Sequence, residues 1–204
     1  MDVVVLFDGS GQEPDKGRRT NVYKFGERFG DVVLYEPGVG TWSGVSGRTA
    51  AMLGIGLYER VDDMLDRLEF YRYDKIHVVG GSRGGTQALD FCWRYEERYS
   101  AQVGFCGLYD VVRAFRGGAV KRLLPRALWG GRRVHRRPPV GTLVHATAGH
   151  EPNRFYAHDT VKGADHEWVF PGLEHGQVLR HNRPRLWLEG HAARVIRQRQ
   201  SHLY

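Results

Sequence analysis

Apolar runs of strand length recur at Val3 to Phe7, Val32 to Tyr35, Ile76 to Val79, Val103 to Phe105, Leu143 to His145 and Trp168 to Phe170. Segments of helical length lie between several of them, notably Thr49 to Tyr71, Gly84 to Arg98 and Arg185 to Gln200. In the first of these segments Leu53, Leu57, Val61, Met64, Leu65 and Leu68 return at threes and fours, the spacing of an amphipathic helix packed on a sheet. Strands that alternate with helices pair in parallel, and a parallel sheet must be covered on both faces. The expected class is therefore α/β: a three-layer α/β/α sandwich around a mainly parallel sheet. At 204 residues the chain suits one domain over 1–204, long enough to bury a core without staples. Cys92 in a helical segment and Cys106 in a strand read as small buried hydrophobes, with no C-x-x-C or Cys/His metal pattern around them.

The N-terminus, Met1-Asp2-Val3-Val4-Val5-Leu6-Phe7-Asp8, has an acid where a signal peptide needs basic residues, so it reads as a first strand. No apolar run approaches bilayer length. The cytoplasm is the expected location, and export by a machine that needs no cleavable signal stays open. The formal charge of +7 is uneven. Between Arg113 and Arg137 lie nine basic residues and no acid. That run is either a solvated face or a surface for an anionic partner such as phospholipid headgroups or nucleic acid. The interleaved Leu123, Leu124, Leu128 and Trp129 favour peripheral contact with lipid. No nucleic-acid motif accompanies the basic run, so no nucleic-acid partner is expected.

Catalytic and binding groups in such sheets gather at the carboxyl ends of the strands. There the chain carries Asp8-Gly9-Ser10, then Gly80-Gly81-Ser82-Arg83-Gly84, then Tyr109-Asp110, and after the last strand Pro171-Gly172-Leu173-Glu174-His175. The second of these is a G-x-S-x-G pentapeptide between a strand and a helix, the setting of a nucleophile elbow. A serine needs a base to take its proton and an acid to orient that base. Ser82, Asp110 and His175 occur in the order this chemistry takes on such sheets. Asp110 also reads as an N-cap for the residues after it. His150, His166 and His191 compete for the base, and Asp159, Asp165 and Glu174 for the acid. Backbone N–H groups of Arg83 and Gly9 are the expected oxyanion donors. Gly38-Val39-Gly40 with Gly44 lacks the G-x-G-x-x-G spacing and reads as a turn, and neither His150-Glu151 nor His166-Glu167 continues to H-E-x-x-H. No cofactor or metal is expected.

Several fragments together resemble a known family. Phe7-Asp8-Gly9-Ser10-Gly11, Thr20-Asn21-Val22, Gly38-Val39-Gly40-Thr41, the elbow through Gly85, Leu108-Tyr109-Asp110-Val111-Val112, His145-Ala146-Thr147-Ala148 with Glu151, Arg154 and Phe155, and Trp168-Val169-Phe170-Pro171-Gly172 follow one another along the chain. The series is similar to the uncharacterised α/β-hydrolase domain shared with type VI secretion phospholipase effectors. The resemblance implies serine esterase or phospholipase chemistry on a small-molecule or lipid ester, with Ser82 as nucleophile and the histidine of the last motif as base. It implies that Asp8 and Ser10 belong to the substrate loop, with Asp8 shaping the oxyanion loop, and a buried aspartate capping a turn explains Asp8 as well. The chain departs from the family where Leu173-Glu174 precedes His175, in place of one residue, and where Gly176-Gln177-Val178-Leu179 replaces a glycine-rich tail.

Two functions from different classes follow. One is a serine hydrolase acting through an acyl-enzyme. The other is a non-catalytic binding protein on a degenerate hydrolase scaffold, holding an anionic partner through the 113–137 segment. The distance from His175 to Ser82 separates them. Oligomeric state is not legible in the sequence.

Overall fold

A computed structural model of the chain describes residues 1–12, 19–38, 58–112, 136–150 and 161–196. The tail of the basic run at Arg136 and Arg137 is among them. The rest of that run, the glycine segment after Gly38, Glu151, Arg154, Phe155, Asp159 and the ends of two expected helices lie outside the described residues.

The first strand, β1 (Asp2–Phe7), is buried at every position, which is what a run with apolar residues on both faces requires of a central parallel strand. β2 (Val32–Glu36), β3 (Lys75–Gly81), β4 (Val103–Tyr109), β5 (Val140–Ala148) and β6 (His166–Phe170) complete one sheet in the order β2-β1-β3-β4-β5-β6. Every pair in it is parallel. Five helices accompany it among the described residues: α1 (Asn21–Arg28), α2 (Glu59–Leu68), α3 (Arg83–Tyr99), α4 (His175–Val178) and α5 (Asn182–Ala192).

Alternation along the strands assigns the helices to faces. Val3, Val5 and Phe7 of β1 share one cluster with Met64 and Leu65 of α2 and with Leu89 and Phe91 of α3. Val4 and Leu6 point the other way, into a cluster with Val22 and Phe25 of α1, Val178 of α4 and Leu188 of α5. The result is the expected three-layer α/β/α sandwich. Each fully buried Phe or Leu in these layers contributes roughly 1.5–3 kcal/mol relative to exposure. The ion pairs that tie α3 to α2, Arg94 to Asp62 and Arg98 to Asp66, are largely exposed and add little beside that burial.

Two helix ends show how sequence sets the boundaries. Thr20 caps α1 by accepting the Tyr23 N–H at 3.2 Å, one of the donors a helix start leaves unpaired. Ser100 closes α3 in the left-handed region at φ 52, donating its N–H to Glu96 O, the usual geometry of a helix stop. Helix α1 lies where no helix was expected, and α2 covers 59–68 of the segment expected to run from Thr49 to Tyr71, of which 49–57 lie outside the described residues.

The sheet's order reverses between β1 and β3, because β2 lies on one side of β1 and all later strands lie on the other. A crevice opens at the carboxyl ends of strands flanking such a reversal. Asp8 and Ser82 sit at those two ends.

Candidate active site

β3 delivers Ser82 into a backbone that most residues avoid, φ 53 and ψ −122, and α3 begins at the next residue. The turn is so tight that a Cβ on Gly80 would stand 2.3 Å from Gly84 O, and one on Gly84 would stand 2.1 Å from Phe7 O. Only glycine fits at those two points, and that is why the pentapeptide has its spacing. The backbone of Ser82 is clamped by its neighbours: its N–H donates to Tyr109 O at 2.8 Å, and its carbonyl accepts from Val112 N–H at 3.2 Å.

β4 ends one residue before Asp110, which is fully buried and also has positive φ, 46. Its N–H donates to Ala146 O at 2.7 Å. Its carboxylate divides its work: Oδ1 accepts Ala148 N–H at 2.8 Å and Oδ2 lies 2.5 Å from His175 Nδ1. The N-cap role that the sequence also allowed for Asp110 concerns a segment that continues from Arg113 outside the described residues. The other imidazole nitrogen, His175 Nε2, lies 2.9 Å from Ser82 Oγ. A carboxylate at Nδ1 keeps the imidazole proton on that side, so Nε2 is left to accept the Ser82 hydroxyl proton. The arrangement can move a proton from Ser82 to His175 while Asp110 holds the ring.

His175 reaches this position as the first residue of α4. Glu174 and Gln177 form a capping box, with Glu174 N–H donating to Gln177 Oε1 at 2.8 Å. The departure that the sequence shows around the histidine is thus a different helix start.

The rival residues are elsewhere. His166 and His191 lie against each other with ring centroids 4.1 Å apart, and His150 is exposed. Asp165 is bonded to Arg137 and to Leu143 N–H. Glu174 is the cap just described.

The loop after β1 differs from its expected use at one point. Gly9 N–H donates to Asp8 Oδ1 at 2.7 Å, so Gly9 closes a turn instead of standing ready as an oxyanion donor. Asp8 is buried and also accepts from Thr20 Oγ1 at 2.7 Å and Tyr35 Oη at 2.8 Å. Burial raises its carboxyl above the usual range against the pull of those bonds. Ser10 Oγ accepts from Arg83 Nη1 at 3.0 Å. Three contributors to this end of the sheet went unsingled as site residues in the sequence. Thr20 was visible only inside Thr20-Asn21-Val22. Arg180, whose Nη2 donates to Gln12 Oε1 at 2.9 Å in the turn after β1, carried no signal beyond charge. His145 is fully buried on β5, accepts Val111 N–H at 3.4 Å through Nε2 and lies 3.0 Å from Glu167 Oε1 through Nδ1, and so supports the turn that holds Asp110.

No protein-family model matches the chain, and no curated protein matches it by sequence. Solved structures do match. The Tle1 effector of the type VI secretion system, solved bound to the VgrG spike, superposes with a TM-score of 0.62 over 87% of this chain at 17% identity. A chain from the metagenome-derived lipolytic enzymes LipS and LipT gives 0.61 over 94% of this chain and 92% of its own, at 12% identity. The chain has an α/β-hydrolase-like fold. Human thioesterase 2 shares that α/β-hydrolase-like backbone with a TM-score of 0.57, 13% identity and coverage of 95% and 94%. The chain spans 50% of the Tle1 chain and 41% of a matching uncharacterized protein from Pseudomonas aeruginosa. The motif resemblance and the backbone likeness thus point to one fold. Among the described residues, no cluster of three metal-ligating side chains occurs and no helix is long and apolar enough to cross a membrane.

Proposed function

We propose that this chain is a serine hydrolase that cleaves a carboxylic ester through an acyl-enzyme. The observation that carries the reading is the chain of contacts from Ser82 Oγ through His175 to Asp110, at 2.9 and 2.5 Å. Ser82 Oγ attacks the ester carbonyl as its proton passes to His175 Nε2, and Asp110 steadies the imidazolium that results. The charge that develops on the carbonyl oxygen meets the N–H of Arg83 at the positive end of α3, a 17-residue helix, where backbone donors and dipole act together. Collapse of the adduct expels the alcohol, which leaves with the proton from His175. Water then repeats the sequence on the acyl group, and Ser82 is restored. The second oxyanion donor falls to another N–H of the turn after β1, since that of Gly9 is engaged by Asp8.

Lipolytic and thioesterase chains among the structural neighbours support ester-like substrates. A phospholipid ester is the narrower form of the proposal, supported by the motif resemblance and by the backbone likeness to Tle1. The short Ser82 to His175 distance favours this reading over a binding protein on a degenerate scaffold, which would tolerate drift in that contact.

A fluorophosphonate probe applied to the folded protein is expected to label Ser82 and no other serine, and Ser82→Ala is expected to abolish labelling and hydrolysis of p-nitrophenyl butyrate. A folded sample that leaves Ser82 unmodified under saturating probe overturns the proposal.

A further inference from the structure

The carboxylate that orients His175 is itself held from behind. After β4 three successive N–H groups turn back into the sheet: that of Asp110 donates to Ala146 O at 2.7 Å, that of Val111 to His145 Nε2 at 3.4 Å, and that of Val112 to Ser82 O at 3.2 Å. The middle acceptor is a side chain, so a substitution can remove it while every backbone carbonyl stays in place. Val111 is fully buried, and its N–H has no solvent to fall back on. Its side chain is wedged as well: a Cβ on Gly85, in the first turn of α3, would lie 2.6 Å from Val111 Cγ2. His145 stands opposite Glu167 in the register of β5 and β6, with Nδ1 3.0 Å from Glu167 Oε1. A backbone N–H can only donate, so Nε2 accepts, the proton of the neutral imidazole lies on Nδ1, and Glu167 accepts it. A carboxylate on the last strand of the sheet thereby fixes the tautomer, and the imidazole fixes the residue next to Asp110.

Asp110 stands at φ 46, and a strained backbone persists only where its surroundings over-determine it. We infer that His145 and Glu167 are positioning residues for the hydrolysis: Glu167 orders the His145 imidazole, His145 holds Val111 N–H, and that bond keeps Asp110 aimed at His175 Nδ1, 2.5 Å from its Oδ2. Both act through Asp110 and leave the proton transfer to Ser82 and His175. A misplacement of about 1 Å in a catalytic group can cost about a hundredfold in rate, so a contact two steps removed from the nucleophile is expected to tell in kcat. The kinetic consequence rests on the serine hydrolase reading, and the geometry on the hydrogen bonds alone.

Three substitutions at one position separate the two bonds. His145→Gln can put an amide oxygen where Nε2 stands and so keep Val111 N–H paired. His145→Asn reaches only as far as Nδ1, so it can meet Glu167 but not Val111, and His145→Phe meets neither. Turnover of p-nitrophenyl butyrate is expected to fall about tenfold to hundredfold in kcat for His145→Phe and His145→Asn, the effect of leaving a buried donor unpaired, with KM little changed. His145→Gln is expected to recover most of the loss. Proton NMR reads the geometry itself: the proton between His175 Nδ1 and Asp110 Oδ2 resonates far downfield, and is expected to move upfield or broaden in His145→Phe and His145→Asn and to keep its place in His145→Gln. Wild-type kcat in His145→Phe, a His145→Gln protein no better than His145→Asn, or a fall in kcat with the resonance unmoved overturns the positioning role. Should the variants at 145 fail to fold, Glu167→Leu decides from a side chain that is 39% exposed. A displaced resonance with lowered kcat supports the role, and a wild-type resonance overturns it. A protein that hydrolyses no ester while its resonance follows His145→Gln over His145→Asn would sink the hydrolase reading and leave the positioning role standing. Ester turnover indifferent to position 145 would do the reverse.

Discussion

Asp110 holds Ala148 N–H with one carboxylate oxygen and His175 with the other, so an isosteric change there separates geometry from charge. Asp110→Asn keeps the shape but offers an amide where His175 meets Oδ2, which draws the imidazole proton to the wrong nitrogen. Turnover of p-nitrophenyl butyrate is expected to fall about 10⁴-fold in kcat with a folded protein and little change in KM, the pattern of a lost transition-state contact. Steady-state kinetics beside circular dichroism checks this. At this scale the sequence was uneven in what it disclosed. Ser82 was legible because its backbone demands small residues at fixed offsets, and Gly80 and Gly84 supply them. The bond from Gly9 N–H to Asp8 was not legible, because no spacing reveals that Asp8 would fold back onto its neighbour. Arg180 stayed hidden because a lone arginine in a basic chain has no pattern.

Helix α4 is four residues long, too short for any period to disclose it, yet it fixes the imidazole. Its start depends on the reciprocal bonds between Glu174 and Gln177. Removing such a cap costs about 1 kcal/mol. Glu174→Ala is therefore expected to leave the thermal midpoint within a few degrees of wild type while kcat/KM falls about tenfold, because a loosened first turn lets His175 leave Ser82 part of the time. Glu174→Asp, which preserves a capping carboxylate, is expected to recover most of the loss. Paired melting curves and kinetics check both variants. The long elements were easier to read than this one. β1, β3 and β4 were evident as apolar runs since both their faces are covered, and α3 was found within one residue at each end. Helix α1 was missed because Gly26 interrupts its pattern: a Cβ there would lie 2.6 Å from a Leu6 methyl, so the gap serves close packing on the sheet.

Across the whole molecule, acid stability is set partly by a group far from the site. His77 is fully buried on β3, neither ring nitrogen has a hydrogen-bond partner among the described residues, and Asp2 Oδ2 lies 3.8 Å away. Burial lowers its pKa from 6.5 to about 4, against the pull of Asp2 and with a small push from Lys75. Above pH 6.5 the group is neutral whether the chain is folded or not. Between there and about pH 4 the unfolded chain binds a proton that the folded one refuses, so stability falls as pH drops, by roughly 3 kcal/mol across that window. His77→Leu is expected to flatten this part of the profile, read as the difference between the two proteins in urea unfolding at pH 7 and pH 4. The three-layer architecture was open to sequence reading because period and burial coincide, whereas this histidine looked like one more residue in an apolar run. The two positive-φ residues that face each other across the relay, Ser82 and Asp110, bear on how such a molecule persists. Each strained backbone is costly by roughly 1–3 kcal/mol, and a glycine would relieve it. Lineages screened for robustness alone would drift toward glycine at 82 and become sturdier and inert, whereas the same change at 110 would strip the buried Ala148 N–H of its acceptor, so Ser82 depends on continual selection for what it does while Asp110 is also held by the fold.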